Sequence, residues 1–318
     1  MPGVNFLQPL APRRQRGAAL IIAMLIMALA VSVTSAMLAS QEVDVRRSSN
    51  LLHTGQINLY WRGAENWVAQ ILGRDAEDSD IDHLGQDWAR ELPPMPVDGG
   101  FIQGRIIDLQ SRFNLNSLLQ PDGEPNEAAV EMFQRLLINL ELDENIAVAL
   151  LDWLDEDLEP RFPGGAEDDH YLGLDPPYRV ANRQLESPSE LRLLAGVDRD
   201  AWRALRPYVA ALPGVTAVNV NTADPMILMA LADNIDASQL ERLVSEREVE
   251  PFHNTGDFLA HDAFAGLSIE DALLSATSNY FLMAARIEVG NLDAELYSLL
   301  HRQQNGRVHI VSRRRGTR

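Results

Sequence analysis

Between Asp152 and Asp175 the chain reads Asp152-Trp-Leu-Asp155-Glu156-Asp157-Leu-Glu159-Pro-Arg161-Phe-Pro-Gly164-Gly165-Ala-Glu167-Asp168-Asp169-His170-Tyr171, closing on Gly-Leu-Asp175. Nine acids fall in this stretch and Arg161 is its only arginine. So much like charge stays spread in water unless a cation draws it together. Calcium suits such a segment, because it accepts several carboxylate and carbonyl oxygens in flexible geometry, and Gly164-Gly165 can turn backbone oxygens inward. The spacing is not that of an EF-hand. Composition alone leaves two outcomes open, a solvated acidic loop, which is the commoner fate of a charge run, and a metal site.

Other chemistry is sparse. No P-loop, G-x-G-x-x-G, H-E-x-x-H or G-x-S-x-G pattern occurs, and the seven histidines are scattered without ligand spacing. An enzyme is therefore not expected, nor a small-molecule substrate. Cysteine is absent, which excludes disulfides and thiolate metal sites. The formal charge is −19, every basic residue is arginine, and loss of Arg13, Arg14 and Arg16 with residues 1–17 would take it to −22. A chain of that charge repels phosphate backbones. Asn219-Val-Asn221-Thr222-Ala223 also occurs in helix-hairpin-helix proteins, some of them membrane-anchored DNA receptors. The turn that would face phosphate, Ala232-Asp-Asn-Ile-Asp236, is acidic and lacks glycine, so no nucleic-acid partner is expected. Asn219 and Asn221 are expected to hydrogen-bond a tight turn and cap the helix that follows. Arg313-Arg314-Arg315 reads as a solvated end.

These groups must be held by elements that begin in a membrane. Ala18 to Gln41 carries no charge, and about 20 apolar residues in a helix cross the hydrocarbon core. Arginines precede the run while Glu42 and Asp44 follow it, so the positive-inside bias predicts a single pass with residue 1 in the cytoplasm and everything after Gln41 across the membrane. The run is longer than the apolar part of a secretory signal peptide, although Thr34-Ser-Ala36 offers a cleavage site.

Beyond the span, Leu52, Leu59, Gly63, Trp67 and Ile71, with Tyr60, Ala64 and Val68 beside them, predict an amphipathic helix continuing to about Gly73. A loop is expected over 75–100, where Pro93, Pro94 and Pro96 cluster. Phe101 to Leu109 reads as a strand, and residues 279–289, 294–302 and 307–311 as a meander with turns at Gly290-Asn291 and Asn305-Gly306. Between them the apolar spacing is helical over 127–140, 144–155, 189–194, 198–211, 225–231 and 237–246. Asp224-Pro225 and Ser187-Pro188 give start signals. The pattern predicts an α+β fold in which a long N-terminal transmembrane and amphipathic helix packs on a small antiparallel sheet with a large inserted α-helical domain.

Arg16-Gly17-Ala18, where a basic leader ends in glycine directly before the apolar helix, resembles the prepilin signal of the type IV pilin family. That resemblance implies cleavage by prepilin peptidase after Gly17, leaving Ala18 as the mature N-terminus. Phe113-Asn-Leu-Asn116, Asp152-Trp-Leu-Asp-Glu-Asp157, Pro163-Gly-Gly-Ala-Glu-Asp168, Asp175-Pro-Pro-Tyr178, Ala181-Asn182, Ser189-Glu-Leu191 and Val218-Asn-Val-Asn-Thr-Ala223, in this order, resemble the K family of type II secretion minor pseudopilins. Ile22, at the fifth mature position where most pilins carry glutamate, fits that family and a subunit with no neighbour above it.

The resemblance implies a leader over 1–17, a transmembrane helix over 18–40, a pilin-like part over 41–120 and 277–318, and a calcium-binding inserted domain over 121–276 of helix-hairpin-helix or SAM-like type. It implies a role at the pseudopilus tip in starting or capping assembly. Minor pseudopilins I and J are the implied partners, with H and the major pseudopilin G as secondary ones. Under it, Asp155, Asp157, Glu167 and Asp168 are the expected ligands for one or two Ca2+ ions, with Asp152, Glu159 and Asp169 as second candidates. The alternative is a membrane-anchored periplasmic helix-hairpin-helix binding protein of the DNA-uptake kind.

Overall fold

The computed structural model describes residues 16–316, with side chains from Ala18; apart from its last two residues, the expected leader lies outside the described residues. Packing divides the chain into two units, residues 1–56 and 57–318. Helix α1 spans Arg16–Asp78, with Gly17 and Ala18 in its first turn. Its apolar part is long enough to cross a membrane and none of it is buried within the protein. The hydroxyls of Ser32 and Thr34 donate to the carbonyls of Ala28 and Ala30, so neither polar group needs a partner from outside the helix.

In the second unit, α1 buries Ile57, Trp61, Val68 and Leu72 against a sheet, with Tyr60, Ala64 and Ile71 alongside. Val68, Ile71, Tyr60 and Ala64 belong to the stripe the sequence predicts, whereas Ile57, Trp61 and Leu72 take the places expected of its other members. Leu59 and Trp67 stay exposed on the neighbouring face. Helical spacing is satisfied by either face, and the packing face is disguised because it carries Glu65. That carboxylate is buried, accepting from Ser298 Oγ at 2.7 Å and from the Arg313 guanidinium at 2.7 and 2.8 Å.

The segment predicted as a loop after α1 contains strand β1, Leu92–Val97, which pairs with β2, Gly100–Asp108. Pro93, Pro94 and Pro96 are tolerated because β1 is an edge strand, and the register shifts between Leu92 and Met95. After β2 come the short β3 (Phe113–Asn114), then α2 (Glu127–Asn139), α3 (Asn145–Leu154), α4 (Asp168–Tyr171) and α5 (Arg199–Leu205). The helix expected over 198–211 stops early, because Pro207 cannot donate a helical hydrogen bond. The chain instead becomes β4, Val209–Ala210, parallel to β3. Strand β5 (Val218–Asn219), α6 (Pro225–Met229), α7 (Ala237–Val249), α8 (Thr255–Leu259) and β6 (Leu274–Ser275) follow, β5 pairing with β6. Start signals hold where expected: Asp224 accepts from Met226 N ahead of Pro225, and Ser187 forms a capping box with Glu190. That second element, Pro188–Leu193, is a 3-10 helix.

The meander closes the fold as β7 (Tyr280–Val289), β8 (Leu292–Arg302) and β9 (Val308–Gly316), in the antiparallel order β1-β2-β7-β8-β9. Along β7 burial alternates strictly, with Phe281, Met283, Ala285, Ile287 and Val289 facing α1. Gly290 adopts φ 59° at the first central position of a two-residue hairpin, which calls for a positive φ. The three arginines expected at a solvated end lie in β9. Arg313 pairs with Glu65, Arg314 donates to the Glu186 carbonyl, and Arg315 to Asn58 Oδ1.

Everything from 109 to 279 lies between two adjacent strands, β2 and β7, and has its own core around Phe133, Leu137, Leu150, Leu228 and Leu243. A buried polar knot ties that block to the sheet. Asp108 Oδ2, at the end of β2, accepts from Thr222 Oγ1 at 2.5 Å, Ser278 Oγ at 2.6 Å and Asn219 Nδ2 at 3.3 Å. Asn219 takes part in the tight turn, its Oδ1 accepting from Asn221 N, but neither asparagine caps α6. Asp224 does that, while Asn221 bridges to the Phe252 backbone through both amide atoms. Beside the knot, Arg302 Nη2 donates to both Asp82 oxygens and Nη1 to Asp75 at 3.2 Å, with the guanidinium over the Phe281 ring.

Candidate metal centre

Helix α3 is short and apolar, and its burial carries Asp152 and Asp155 inward with it. Asp152, in the last turn, is fully buried, and Asp155 is the residue that ends the helix. Both lie at the end where the helix dipole is negative, so the backbone adds to the repulsion among the acids. Arg161 loops back to answer part of it. Its backbone N and Nη1 reach Asp152 at 3.1 and 3.0 Å, and the same Nη1 contacts Asp155. Gly165 permits that closure, since a Cβ there would stand 2.2 Å from Asp152 Oδ2 and 2.4 Å from the Arg161 carbonyl. The glycine thus serves a close approach of the two chain segments.

Across the loop, Glu167 precedes α4 and is 3% exposed. Carboxylate oxygens of Asp155, Asp157 and Glu167 lie within 4.8 Å of one another. Both Glu167 oxygens and Asp155 Oδ1 are buried with no hydrogen-bond partner. Burial, then repulsion from Asp152, Asp155, Asp157 and Asp168, pushes Glu167 up to about 7. Burial raises Asp155 as well, against the pull of Arg161.

Asn182, with φ 44°, donates to the Asp157 carbonyl at 2.8 Å and leaves its own Oδ1 buried and unpartnered. Behind it, Tyr171 and Tyr178 stack at 5.4 Å, and Tyr178 donates to the Leu193 carbonyl, which fixes the strand of loop that carries Asn182. Buried polar atoms are almost always satisfied, and buried unpaired carboxylate oxygens are costly. A hard cation among Asp155, Asp157 and Glu167 would satisfy their unpaired oxygens at once. The donors are all oxygen, which is the chemistry of Ca2+ or Mg2+.

Of the seven acids singled out from the sequence, the structure brings Asp155, Asp157 and Glu167 within 4.8 Å of one another. Asp168, close enough to repel Glu167, accepts from Val180 N at 3.1 Å with Arg179 at 3.8 Å. Asp152 is occupied by Arg161. Glu159 and Asp169 are exposed. Asn182, which holds the Asp157 carbonyl and keeps an unpartnered oxygen, gives no signal of this in the sequence: its amide is uncharged, and its left-handed backbone is invisible in a linear pattern.

Family models described as "Type II secretion system (T2SS), protein K" match residues 111–214 and 218–277. A type II secretion system protein K of Pseudomonas aeruginosa is 36% identical over 315 residues, covering 96% of this chain and 94% of its own. The Aeromonas hydrophila protein of that description is 35% identical, covering 96% and 98%. Among solved structures, a chain in the crystal structure of the GspK-GspI-GspJ complex from the enterotoxigenic Escherichia coli type 2 secretion system matches with a TM-score of 0.77. It is 29% identical over 86% of this chain and all of its own length. Nothing in these matches supports a DNA-uptake-like binding protein.

Proposed function

The chain belongs to the type II secretion system protein K family, and from that premise we propose that it is a non-enzymatic tip subunit that starts or caps the pseudopilus for export of folded proteins. The likeness along nearly the whole chain carries this, together with an apolar helix that leads without a break into the packing helix of the sheet. Residues 18–40 anchor it in the inner membrane with the N-terminus cytoplasmic, and the rest stands in the periplasm. The block over 121–276 is a domain-sized insert in a pilin-like frame made of 41–120 and 277–318. So large a head is hard to repeat around a closely packed shaft, whereas one copy at the end meets no clash. Partners are minor pseudopilins I and J, as in the complex named in the solved relative, with H and the major pseudopilin G as further contacts.

The metal centre is a calcium site, with Asp155, Asp157 and Glu167 as its ligands. Bound calcium would supply the positive charge that this acidic loop lacks and fix the loop to α3, in a protein with no disulfide to do so. The N-terminal residue of the mature protein tests the assembly role. Cleavage by prepilin peptidase after Gly17 yields a chain beginning at Ala18; a chain that begins after Ala36, or still at Met1, overturns it.

A further inference from the structure

Arg112 sits where the chain leaves the 3-10 turn Leu109–Ser111 and enters β3. Successive extended residues face opposite sides. Burying Phe113 in the core of the inserted block therefore turns Arg112 the other way, toward the outer face of the sheet. There it lines a cavity of about 200 Å3 whose walls include Leu109, Val209, Leu282, Leu299 and Tyr297. Among the described residues its guanidinium has no hydrogen-bond or ion-pair partner.

In a chain of net charge −19, two arginines act on Arg112 more strongly than its neighbouring carboxylate does. Burial first, then Arg105 and Arg206, lower the Arg112 pKa, and Asp224 is the one carboxylate that opposes them. Tyr297 donates to Glu295 Oε2 at 3.3 Å, and that carboxylate acts on it more strongly than the same two arginines do. Arg105 and Tyr297 also line an adjoining cavity of about 320 Å3, together with Glu91, Glu295 and the already paired Arg286. Arg314 and Glu186 stand at the rim of the first cavity, Arg314 donating to the Glu186 carbonyl. Ser312 and Arg314 of that rim belong to β9, the edge strand of the sheet, whose outer backbone groups can pair with an extended chain.

We propose that this cavity docks an acidic peptide segment of a partner protein, in which an aliphatic side chain lies next to a carboxylate. The aliphatic group fills the apolar walls. The carboxylate forms a charge-assisted pair with Arg112 and relieves its repulsion with Arg105 and Arg206. The site is separate from the metal centre, and its test does not depend on the assembly role.

The experiment is fluorescence anisotropy of labelled acetyl-Gly-Asp-Leu-Asp-Gly-amide with the full chain in neutral detergent, beside the Asn-Leu-Asn peptide. Saturable binding of the acidic peptide alone, weakened by salt, is expected. Arg112→Gln and the exposed Arg206→Glu should each weaken it about tenfold or more, while Arg199→Glu, an equal charge change about two turns away at the other end of α5, should weaken it far less. Equal binding of both peptides, no saturation, or equal losses in Arg199→Glu and Arg206→Glu would overturn the proposal. So would full affinity in Arg206→Glu, which stays informative if Arg112→Gln fails to fold.

Discussion

Arg302 shows how one side chain can hold two parts of a chain together. It is 6% exposed, and it meets Asp82, Asp75 and the Ser278 carbonyl where β8 passes beneath the inserted block. Removing one partner of a buried pair leaves the other as an uncompensated charge, at a cost of about 3–5 kcal/mol. Arg302→Met is expected to lose that much at pH 7.5 by urea denaturation. Burial pushes Asp75 and Asp108 up to about 6 from 3.8. An acid raised in the folded state holds its proton where the unfolded chain has lost it. Proton uptake therefore supports the fold below about pH 4, and that support disappears as pH rises through about 6. The Arg302→Met deficit should accordingly shrink toward pH 5. A deficit that grows on acidification would show that Arg302 does not act by compensating these acids. None of this knot was legible residue by residue. Asp82, Asp108, Asn219 and Ser278 are far apart in the chain and ordinary in type, whereas the acids near Asp155 announce themselves by crowding.

At the scale of the element, α1 shows the limit of periodicity. The sequence predicts its existence and its continuation past the membrane, and the structure extends it to Asp78. The face it buries is another matter, because Leu59 and Trp67 compete with Ile57, Trp61 and Leu72 at equally good spacing. Trp61→Ala is expected to cost about 3–5 kcal/mol, since it empties a core position and removes a 2.8 Å hydrogen bond to Ser298. Trp67→Ala should change stability by less than about 1 kcal/mol. If the exposed face receives the partners proposed above, the same change should reduce co-elution with I and J, read by size-exclusion chromatography. Strand β1 was hidden for a different reason: three prolines argue against a strand, and only an edge position excuses them.

For the molecule as a whole, the acid-rich loop sets a condition on stability. A cation that binds only the folded chain stabilises it by mass action, by about 2.7 kcal/mol at a hundredfold excess over Kd. For a unit of this size that corresponds to a rise in Tm of about 5–10 °C. Calcium should therefore raise the Tm and a chelator reverse it, while Glu167→Gln should abolish most of the response. An unchanged Tm with calcium and with chelator would remove the metal centre from the molecule. The net charge of −19 acts in the same direction, since self-repulsion favours any change that neutralises acids.

The sequence by itself determined the apolar anchor helix, the family, four strands flanking a helical block and the stretch in which a cation could bind. Those features are local: a run of apolar residues, an alternation, a proline after a capping acid, a density of charge. Tertiary structure alone decided which acids meet, which face of α1 is buried, and that Asn219, Asp108 and Arg302 join one knot. The reason is physical. A carboxylate becomes a ligand or a structural anion according to which donors and charges surround it after folding, and those neighbours arrive from distant parts of the chain.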